Sequence, residues 1–550
     1  RPKSACFRTA DLVGLDTLLH VARNSYELLP GDEQREAFRL PAFVDEMVKK
    51  GLLGNKAKQG FFKKTRGEKP ETLFLDWRTG EYQPTRRPKA PSVEAAKGLD
   101  DPGARVRAVL AGKDPAAELA WRNLRDTLIY AVNRVPEIAD RIVEVDRAMR
   151  WGFSWELGPF EMLDAIGPAA FVARAEADGV AVPAALRGVE AFYAVEGGRL
   201  RQRDLASGAW VDVDAPADAV DLTILKKAGR EVERNAGASV VDLGDGVFCL
   251  EFHSKMNAIG GDTLAMYHRA IARAEREGQG LVIGNQAANF SAGANLALLV
   301  MAIAEGAFDE VDLQVRAFQK AMMAVKYARV PVVAAPHGLS LGGACETSLH
   351  ADAIVPQAET YMGLVEIGVG LLPAGGGTKE LALRAIRLAE RYETEVSPFV
   401  FKHFTTIAMA KVSTSAADAE ALGFLRHGDQ PCLGADRHLH DAKLKVLALA
   451  PGYKPGRPAT DLKAPGRSVA ATLATSLWNM RMGGYITEYE EHLGKAIARV
   501  ITGGDVPAGT PITEQWLLDL EREAFVSLCG QQKTLERIQH MLKKGKPLRN

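Results

Sequence analysis

Two glutamates twenty positions apart, each of which taken singly would read as a solvated or capping residue, become candidates for chemistry through what surrounds them. Glu346 ends the small-residue run His337-Gly338-Leu339-Ser340-Leu341-Gly342-Gly343-Ala344-Cys345-Glu346, just inside an expected helix, where a helix terminus favours the ionised form and a base is available. Glu366 follows Thr360-Tyr361-Met362-Gly363-Leu364-Val365, an apolar run in which desolvation raises the pKa toward the range of a useful acid. A second crowded segment, Asn289-Phe290-Ser291-Ala292-Gly293-Ala294-Asn295, has the same texture as the first. Both read as strand-to-helix junctions, where free amides of a first helical turn could donate to a developing oxyanion. One such junction would more often be a tight turn or a site of close packing. Two of them beside two glutamates point to chemistry.

Other constellations are weaker. Gly338-Leu339-Ser340-Leu341-Gly342 satisfies the G-x-S-x-G nucleophile pattern, which makes Ser340 a candidate for serine-hydrolase chemistry. The histidines that follow, His403, His427, His438 and His440, stand in no recognisable acid-then-histidine context. His438-x-His440 lacks the carboxylate or cysteine cluster that would complete a metal site, so exposed histidines and no metal are expected. Neither G-x-G-x-x-G nor a Walker A motif occurs, and Gly368-Val369-Gly370-Leu371-Leu372-Pro373 fails at its last position. A dinucleotide site within these residues is not expected.

The elements that must position the glutamates belong to a chain of 550 residues, which at about 150 residues per domain suggests three or four domains. Hydrophobic residues at 47% and charged ones at 25% are ordinary for globular protein and argue against disorder or fibre. Lys+Arg and Asp+Glu both total 69, so bulk attraction to nucleic acid or an acidic membrane is not indicated and any anionic ligand must be held locally. Cys6, Cys249, Cys345, Cys432 and Cys529 form no CxxC, so neither a disulfide framework nor a zinc site is expected, and a reducing cytoplasm fits best. The apolar stretch Leu296 to Ala304 is far shorter than the roughly 18 residues of a membrane span. The opening Arg1-Pro2-Lys3 has no signal pattern, and the chain reads as cut from something longer.

The first 200 residues or so read as mostly helical, with clear helices at Ala117 to Tyr130 and Ile138 to Met149. Phe7-x-x-x-Asp11-x-x-Gly14 recurs as Phe160-x-x-x-Asp164-x-x-Gly167, which suggests two related units. After Arg234 the texture changes to strands alternating with helices: a hairpin around Gly244-Asp245-Gly246, helix Leu264 to Glu277, strand Gly280 to Ile283, helix Ala292 to Ala304, helix Val311 to Tyr327 and strand Val330 to Ala335. That alternation predicts an α/β domain with ligands where strands hand over to helices. Beyond Gly377 the chain returns to helix, including Thr487 to Ile501 and Thr513 to Leu528.

The block from Gly280 to Glu380 resembles the enoyl-CoA hydratase/isomerase superfamily, the crotonases, at Phe290-Ser291-Ala292-Gly293-Ala294, at Gly338 through Glu346, and at Val365-Glu366-Ile367-Gly368 leading to Pro373-Ala374-Gly375-Gly376-Gly377-Thr378. The resemblance implies that the amides of Ala294 and Gly343 polarise a thioester carbonyl. It further implies that Glu346 and Glu366 activate water for addition to a trans-2-enoyl-CoA, without metal or redox cofactor. Asn295 departs from the family's usual Asp, and Ala344 from a frequent glycine. Lys255, before Met256-Asn257-Ala258, is the candidate for the phosphates of CoA from its family position.

The front of the chain resembles the C-terminal helical domain of 3-hydroxyacyl-CoA dehydrogenases in two copies. One is marked by Arg1-Pro2-Lys3-Ser4 through Asp16 and Gly51-Leu52-Leu53-Gly54-Asn55-Lys56 to Gly60-Phe61-Phe62, the other by Val132-Asn133-Arg134 through Gly158-Pro159-Phe160 and Asp164. The implied whole is a bacterial fused dehydrogenase/hydratase of fatty-acid β-oxidation whose intact form also uses NAD, with the Rossmann domain missing here. The expected architecture is an α/β crotonase-like domain preceded by these mostly α-helical domains and followed by a helical tail. The expected limits are 1–66 for the first copy, 67–110 a linker, 111–205 the second copy, 206–235 a linker, 236–430 the hydratase domain and 431–550 the helical region. Expected partners are the acyl-CoA or enoyl-CoA thioester, with a homo-oligomer or a thiolase as protein partners and no nucleic acid. A serine hydrolase acting through Ser340 and a non-enzymatic acyl-CoA-binding or assembly module are the alternatives.

Overall fold

The computed structural model describes residues 5–65, 70–86, 88–99, 101–214, 216 and 218–550. Its contacts divide the chain into two compact units, the first ending at Asp214 and the second running on to Asn550.

In the first unit the repeated Phe-x-x-x-Asp signature has a physical counterpart. Asp11, buried in the helix Ala5–Val13, accepts the amides of Phe61 and Phe62, both at 2.8 Å. Asp164, in the helix Pro159–Ile166, accepts those of Phe192 and Tyr193 at 2.7 and 2.9 Å. Each pair of amides opens a three-stranded antiparallel sheet: β1 (Phe62–Lys64), β2 (Thr72–Leu75) and β3 (Tyr82–Pro84) after Asp11, and β4 (Tyr193–Glu196), β5 (Arg199–Arg203) and β6 (Trp210–Asp212) after Asp164. A carboxylate that accepts two adjacent amides fixes where a strand begins relative to its helix. The helix Pro115–Asn133 starts on Pro115 with Asp114 capping the amides of Ala116 and Ala117, and it buries Trp121 against Phe171.

The two stretches read as linkers are largely built structure. Residues 67–110 supply β2, β3 and the helices Pro91–Ala96 and Pro102–Leu110, while 206–235 supply β6, the helix Leu222–Lys227 and a strand of the main sheet below. Their Gly, Pro and charged residues serve tight turns between short, half-exposed strands, which have too few apolar residues to show a period.

The second unit is organised on a six-stranded sheet. Its strands are β7 (Glu231–Arg234), β8 (Ala238–Gly244), β9 (Val247–Phe252), β10 (Gly280–Ile283), β11 (Val332–Ala334) and β13 (Ala353–Ile354), in the order β13-β11-β10-β9-β8-β7. β9, β10, β11 and β13 run parallel, while β7 and β8 are antiparallel additions at one edge. A separate parallel pair, β12 (Gly338–Leu341) and β14 (Thr360–Gly363), lies just past the carboxyl ends of β11 and β13 in the chain. The helices that matter for the site are α1 (Gly261–Glu277), α2 (Leu296–Ala304), α3 (Phe308–Lys326), α4 (Gly343–His350), α5 (Gly377–Arg391), α6 (His438–Leu449), α7 (Glu514–Cys529) and α8 (Gln532–Lys544). Among the described residues no helix is long and apolar enough to cross a membrane.

The period of two along β9 decides the layering. Phe248, Leu250 and Phe252 face Met266, Tyr267 and Ala270 of α1 and Met322 and Val325 of α3, whereas Val247 and Cys249 face Leu439, Ala442 and Val446 of α6. Burial of both sheet faces explains why β10 and β11 read as continuous apolar runs. It also corrects the expectation for His438. That residue is buried against the sheet at the start of α6, its Nε2 lies 2.6 Å from the Val355 carbonyl, and burial lowers its pKa to about 4.

Phe252 is buried between the rings of Tyr267 and Phe290, which join α1 to the loop that carries Ala294. Phe252→Ala should destabilise the second unit by about 3–5 kcal/mol through the cavity it leaves, read by denaturant unfolding, and a change below about 1 kcal/mol would contradict this packing.

Candidate active site

The site is assembled where the chain leaves β10 and β12. After Ile283 the segment 284–295 is laid alongside β12: Phe290 donates its amide to the His337 carbonyl, Ser291 to Leu339, and Leu341 back to Ser291, at 2.9 to 3.2 Å. Asn289 Oδ1 accepts the Leu339 amide, and Asn285 donates to the Phe290 carbonyl. On its other side the segment pairs with Ile259, whose amide donates to the Gly293 carbonyl at 2.9 Å and whose carbonyl accepts from Asn295 at 3.2 Å. With the peptide groups on either side so engaged, the Ala294 amide has no acceptor among the described residues.

The expected helix from Ala292 begins later, at Leu296, with Asn295 Oδ1 capping the Ala297 amide. The donor at Ala294 therefore comes from an extended segment and not from a first helical turn. The cause is Gly293, whose φ of +92° and closeness to β12 leave no room for helix or for a side chain; a Cβ there would lie 2.6 Å from the Leu341 carbonyl oxygen and 3.3 Å from the Gly343 nitrogen. The Gly343 amide is the first of α4, likewise without an acceptor among the described residues, and a Cβ on Gly343 would lie 3.5 Å from the Ala294 nitrogen. The two donors are thus neighbours across the strand-like contact of two segments.

Both glutamates reach the same place. Glu346, one turn into α4 and 3% exposed, accepts the amides of Gly375 and Gly377 on one carboxyl oxygen, each at 2.8 Å. Glu366 opens a short 3-10 turn, Glu366–Val369, two residues past Leu364 and next to Gly342, where a Cβ would come within 2.8 Å of its Oε1. Its Oε2 is enclosed without a hydrogen-bond partner among the described residues. Gly342, with φ of +55°, is the turn into α4 and leaves that space to the carboxyl group.

Ala294, Gly343, Glu346 and Glu366 all line one cavity of about 390 Å³ whose remaining wall is mostly apolar, with Leu264, Leu299, Val315, Phe318, Leu371 and Phe525 among its residues. Burial raises the pKa of Glu346 to about 7, opposed by the amides of Gly377 and Gly375 and by Lys379. Burial raises that of Glu366 well above the usual carboxylate range, and the charge of Glu346 adds to the rise. Two carboxyl groups in one low-dielectric site divide the roles: the amide-held Glu346 ionises first and Glu366 keeps its proton. Such a site can polarise an acyl oxygen, take a proton from water and return one to carbon.

Lys255 is not part of this cavity wall. It is exposed on the turn Lys255–Asn257, with no ion partner among the described residues, on the segment that leads to Ile259 of the wall. Ser340 is in β12, fully buried, and its hydroxyl has no hydrogen-bond partner among the described residues, so none of these places a base to activate it. The nucleophile reading fails because Gly338–Leu341 is a paired strand and not a strand-to-helix elbow. Among the described residues no group of three or more His, Cys, Asp or Glu could hold a metal ion.

Sequence reasoning missed the contributions of α7, which supplies Phe525 to the cavity wall and buries Glu521 beneath the turn 374–379. A signal existed: Leu517, Leu518, Glu521, Ala524 and Leu528 recur at helical spacing, which puts a carboxylate on the buried stripe.

Residues 243–391 match the model of the enoyl-CoA hydratase/isomerase family, and residues 2–64 match that of the 3-hydroxyacyl-CoA dehydrogenase C-terminal domain. A Bacillus subtilis protein named "Probable 3-hydroxyacyl-CoA dehydrogenase" is 45% identical over 558 residues, which takes in 100% of this chain and 69% of that protein. A Rickettsia felis protein, provisionally named a fatty acid oxidation complex trifunctional enzyme, is 24% identical over 98% of this chain and 68% of its own length. Among solved structures, an enoyl-CoA hydratase from Bacillus halodurans aligns with 55% of this chain and 98% of its own at 14% identity and a TM-score of 0.37. The chain belongs to the 3-hydroxyacyl-CoA dehydrogenase family, in the form that carries a crotonase-type enoyl-CoA hydratase/isomerase domain.

The division of roles sets the pH dependence of the site. The rate constant kcat/KM should rise with pH through about 7 as Glu346 loses its proton and fall at higher pH as Glu366 loses its own. A pH–rate profile with one flat plateau from about pH 5 to 9 would contradict the assignment.

Proposed function

We propose that the second unit hydrates trans-2-enoyl-CoA thioesters to 3-hydroxyacyl-CoA in fatty-acid oxidation. The observation that carries this reading is the convergence of two unengaged amides, Ala294 and Gly343, with two carboxyl groups of unequal acidity on one apolar cavity. The thioester oxygen accepts from both amides, which draws electron density from C3. Glu346, as the carboxylate, takes one proton from water while the oxygen of that water bonds to C3. The electron pair of the C2–C3 double bond moves to the enolate, which takes the proton of Glu366 at C2. Glu346 ends protonated and Glu366 ionised, and passage of one proton between them restores the starting state. The bound enolate oxygen is the charge the two amides stabilise.

The steps consume only water, and no metal or redox group enters them. Lys255, exposed on the turn that leads to the cavity wall and without an ion partner among the described residues, is available to the phosphates of CoA. Oxidation of the 3-hydroxyacyl-CoA product with NAD belongs to the intact parent protein, a reading supported by the dehydrogenase match and by the name of the Bacillus subtilis relative. These 550 residues contain no glycine fingerprint for a dinucleotide, so none of them is assigned to NAD.

Hydration of crotonyl-CoA, followed by loss of its enoyl absorbance, tests the reading. Glu366→Gln and Glu346→Gln should each lower kcat by about 10²–10⁴-fold with the folded state intact. Wild-type rates in both variants would refute it, and tight binding of crotonyl-CoA with no turnover in the unmodified chain would make the unit a binding module instead.

A further inference from the structure

The amides that aim Glu346 belong to the buried glycine-rich turn between Pro373 and Lys379, which neighbouring segments hold in place. Gly376 has φ of +104°, and Gly375, Gly376 and Gly377 carry no side chain to wedge the backbone in place. Within the turn, Thr378 Oγ1 donates to the Pro373 carbonyl at 3.0 Å. Beyond the bonds to Glu346, ties run to α3 and α7. Glu521 is fully buried there, and its Oε1 accepts the Lys379 amide at 2.5 Å, with the Gly376 amide beside it. Gln319 of α3, 4% exposed, divides its amide group between the Ala374 carbonyl and the Leu518 carbonyl of α7, both at 2.9 Å. The second oxygen of Glu521 has no partner among the described residues.

Burying a carboxyl group with one oxygen unsatisfied is costly, and an apolar side chain of the same size would fill the space without that cost. What an apolar residue cannot do is accept the Lys379 amide and hold the end of the turn. Resting on the hydratase reading, we infer that Glu521 is a positioning residue for Glu346: from α7 it grips the turn whose Gly375 and Gly377 amides orient the base. The titratable and charged groups that face Glu521 are Glu346 from α4 and Lys379 from α5. Beyond Lys379 lie Glu380, His350, Lys326 and Glu514, the last on the first turn of α7 itself. That ion cluster sits under the same turn and pins the start of α5, so the grip of Glu521 acts on a segment already anchored at one end.

The test is steady-state hydration of crotonyl-CoA by Glu521→Met and Glu521→Gln in the full chain, with thermal unfolding measured alongside. E521M loses the acceptor and should lower kcat about 10–100-fold with KM little changed, because misaiming a reacting group by a fraction of an ångström costs rate more than binding. E521Q keeps an oxygen for the Lys379 amide and should restore kcat to near the unmodified value. A buried control on the same helix, Leu520→Ala, should lower the unfolding temperature without that loss of kcat in the folded fraction. The inference is overturned if E521M retains full kcat, if E521Q is as impaired as E521M, or if L520A reproduces the kcat loss. Should E521M not fold, Gln319→Met cuts the second tie to the turn and must give the same fall in kcat at unchanged KM. An unmodified chain that turns over no crotonyl-CoA would instead count against the hydratase reading, which keeps the two failures apart.

Discussion

The candidate site depends on one electrostatic constraint: two carboxyl groups, Glu346 and Glu366, share a mostly apolar cavity in which they are not readily charged together. In water their proximity would cost little, but in an apolar enclosure the energy of a second negative charge is large, so the pair retains a proton. Which residue retains it follows from hydrogen bonding. Glu346 receives two backbone amides and faces Lys379, whereas Glu366 has an oxygen with no hydrogen-bond partner among the described residues. The asymmetry suits one group to act as base and the other as acid, and backbone amides, the charge of Lys379 and the mutual repulsion of the two carboxyl groups all contribute to it.

That geometry depends on glycines at close approaches. Gly293 lets the loop after β10 lie against β12, Gly342 makes room for the Glu366 carboxyl group, and Gly375 and Gly377 bring their amides to Glu346. At each of these, a methyl group would meet another atom within 2.8 Å. The parallel sheet beneath supplies the frame, since the loops leaving β10 and β11 start from adjacent strands held in register, Ile283 opposite Ala334. The helices α7 and α8 then close the site from above: Phe525 on the cavity wall, Thr534 donating to the Gly370 carbonyl at 2.7 Å and Arg537 to that of Ile367 at 3.3 Å on the turn of Glu366.

Much of this was legible in the chain because the motifs are contiguous. Gly338 through Glu346 and Phe290 through Ala294 each carry their own turn geometry, and the strands β8 to β11 alternate with helices as an α/β domain requires. Asp11 and Asp164 were legible as a repeat, although their task of holding two amides each was not. What could not be read were ties between distant segments. Lys379 and Glu521 are 142 positions apart, Gln319 and Leu518 199, and nothing in either local sequence names its partner. The later start of α2 has a related origin: Gly293 at positive φ and the pairing of its neighbours with Ile259 and β12 keep 292–295 extended, and the pairing partners lie far away in sequence. The burial of His438 is not legible because the pair His438-x-His440, with no ligand cluster beside it, looks solvated until the face of α6 is packed on the sheet.

Protonation of Glu366 beside an ionised Glu346 can be tested by infrared difference spectroscopy of carboxyl groups labelled with carbon-13 at glutamate. At neutral pH the account requires a protonated glutamate band that disappears in Glu366→Gln and survives in Glu346→Gln. A spectrum at neutral pH in which neither substitution removes a protonated band, showing both groups ionised together, would contradict it.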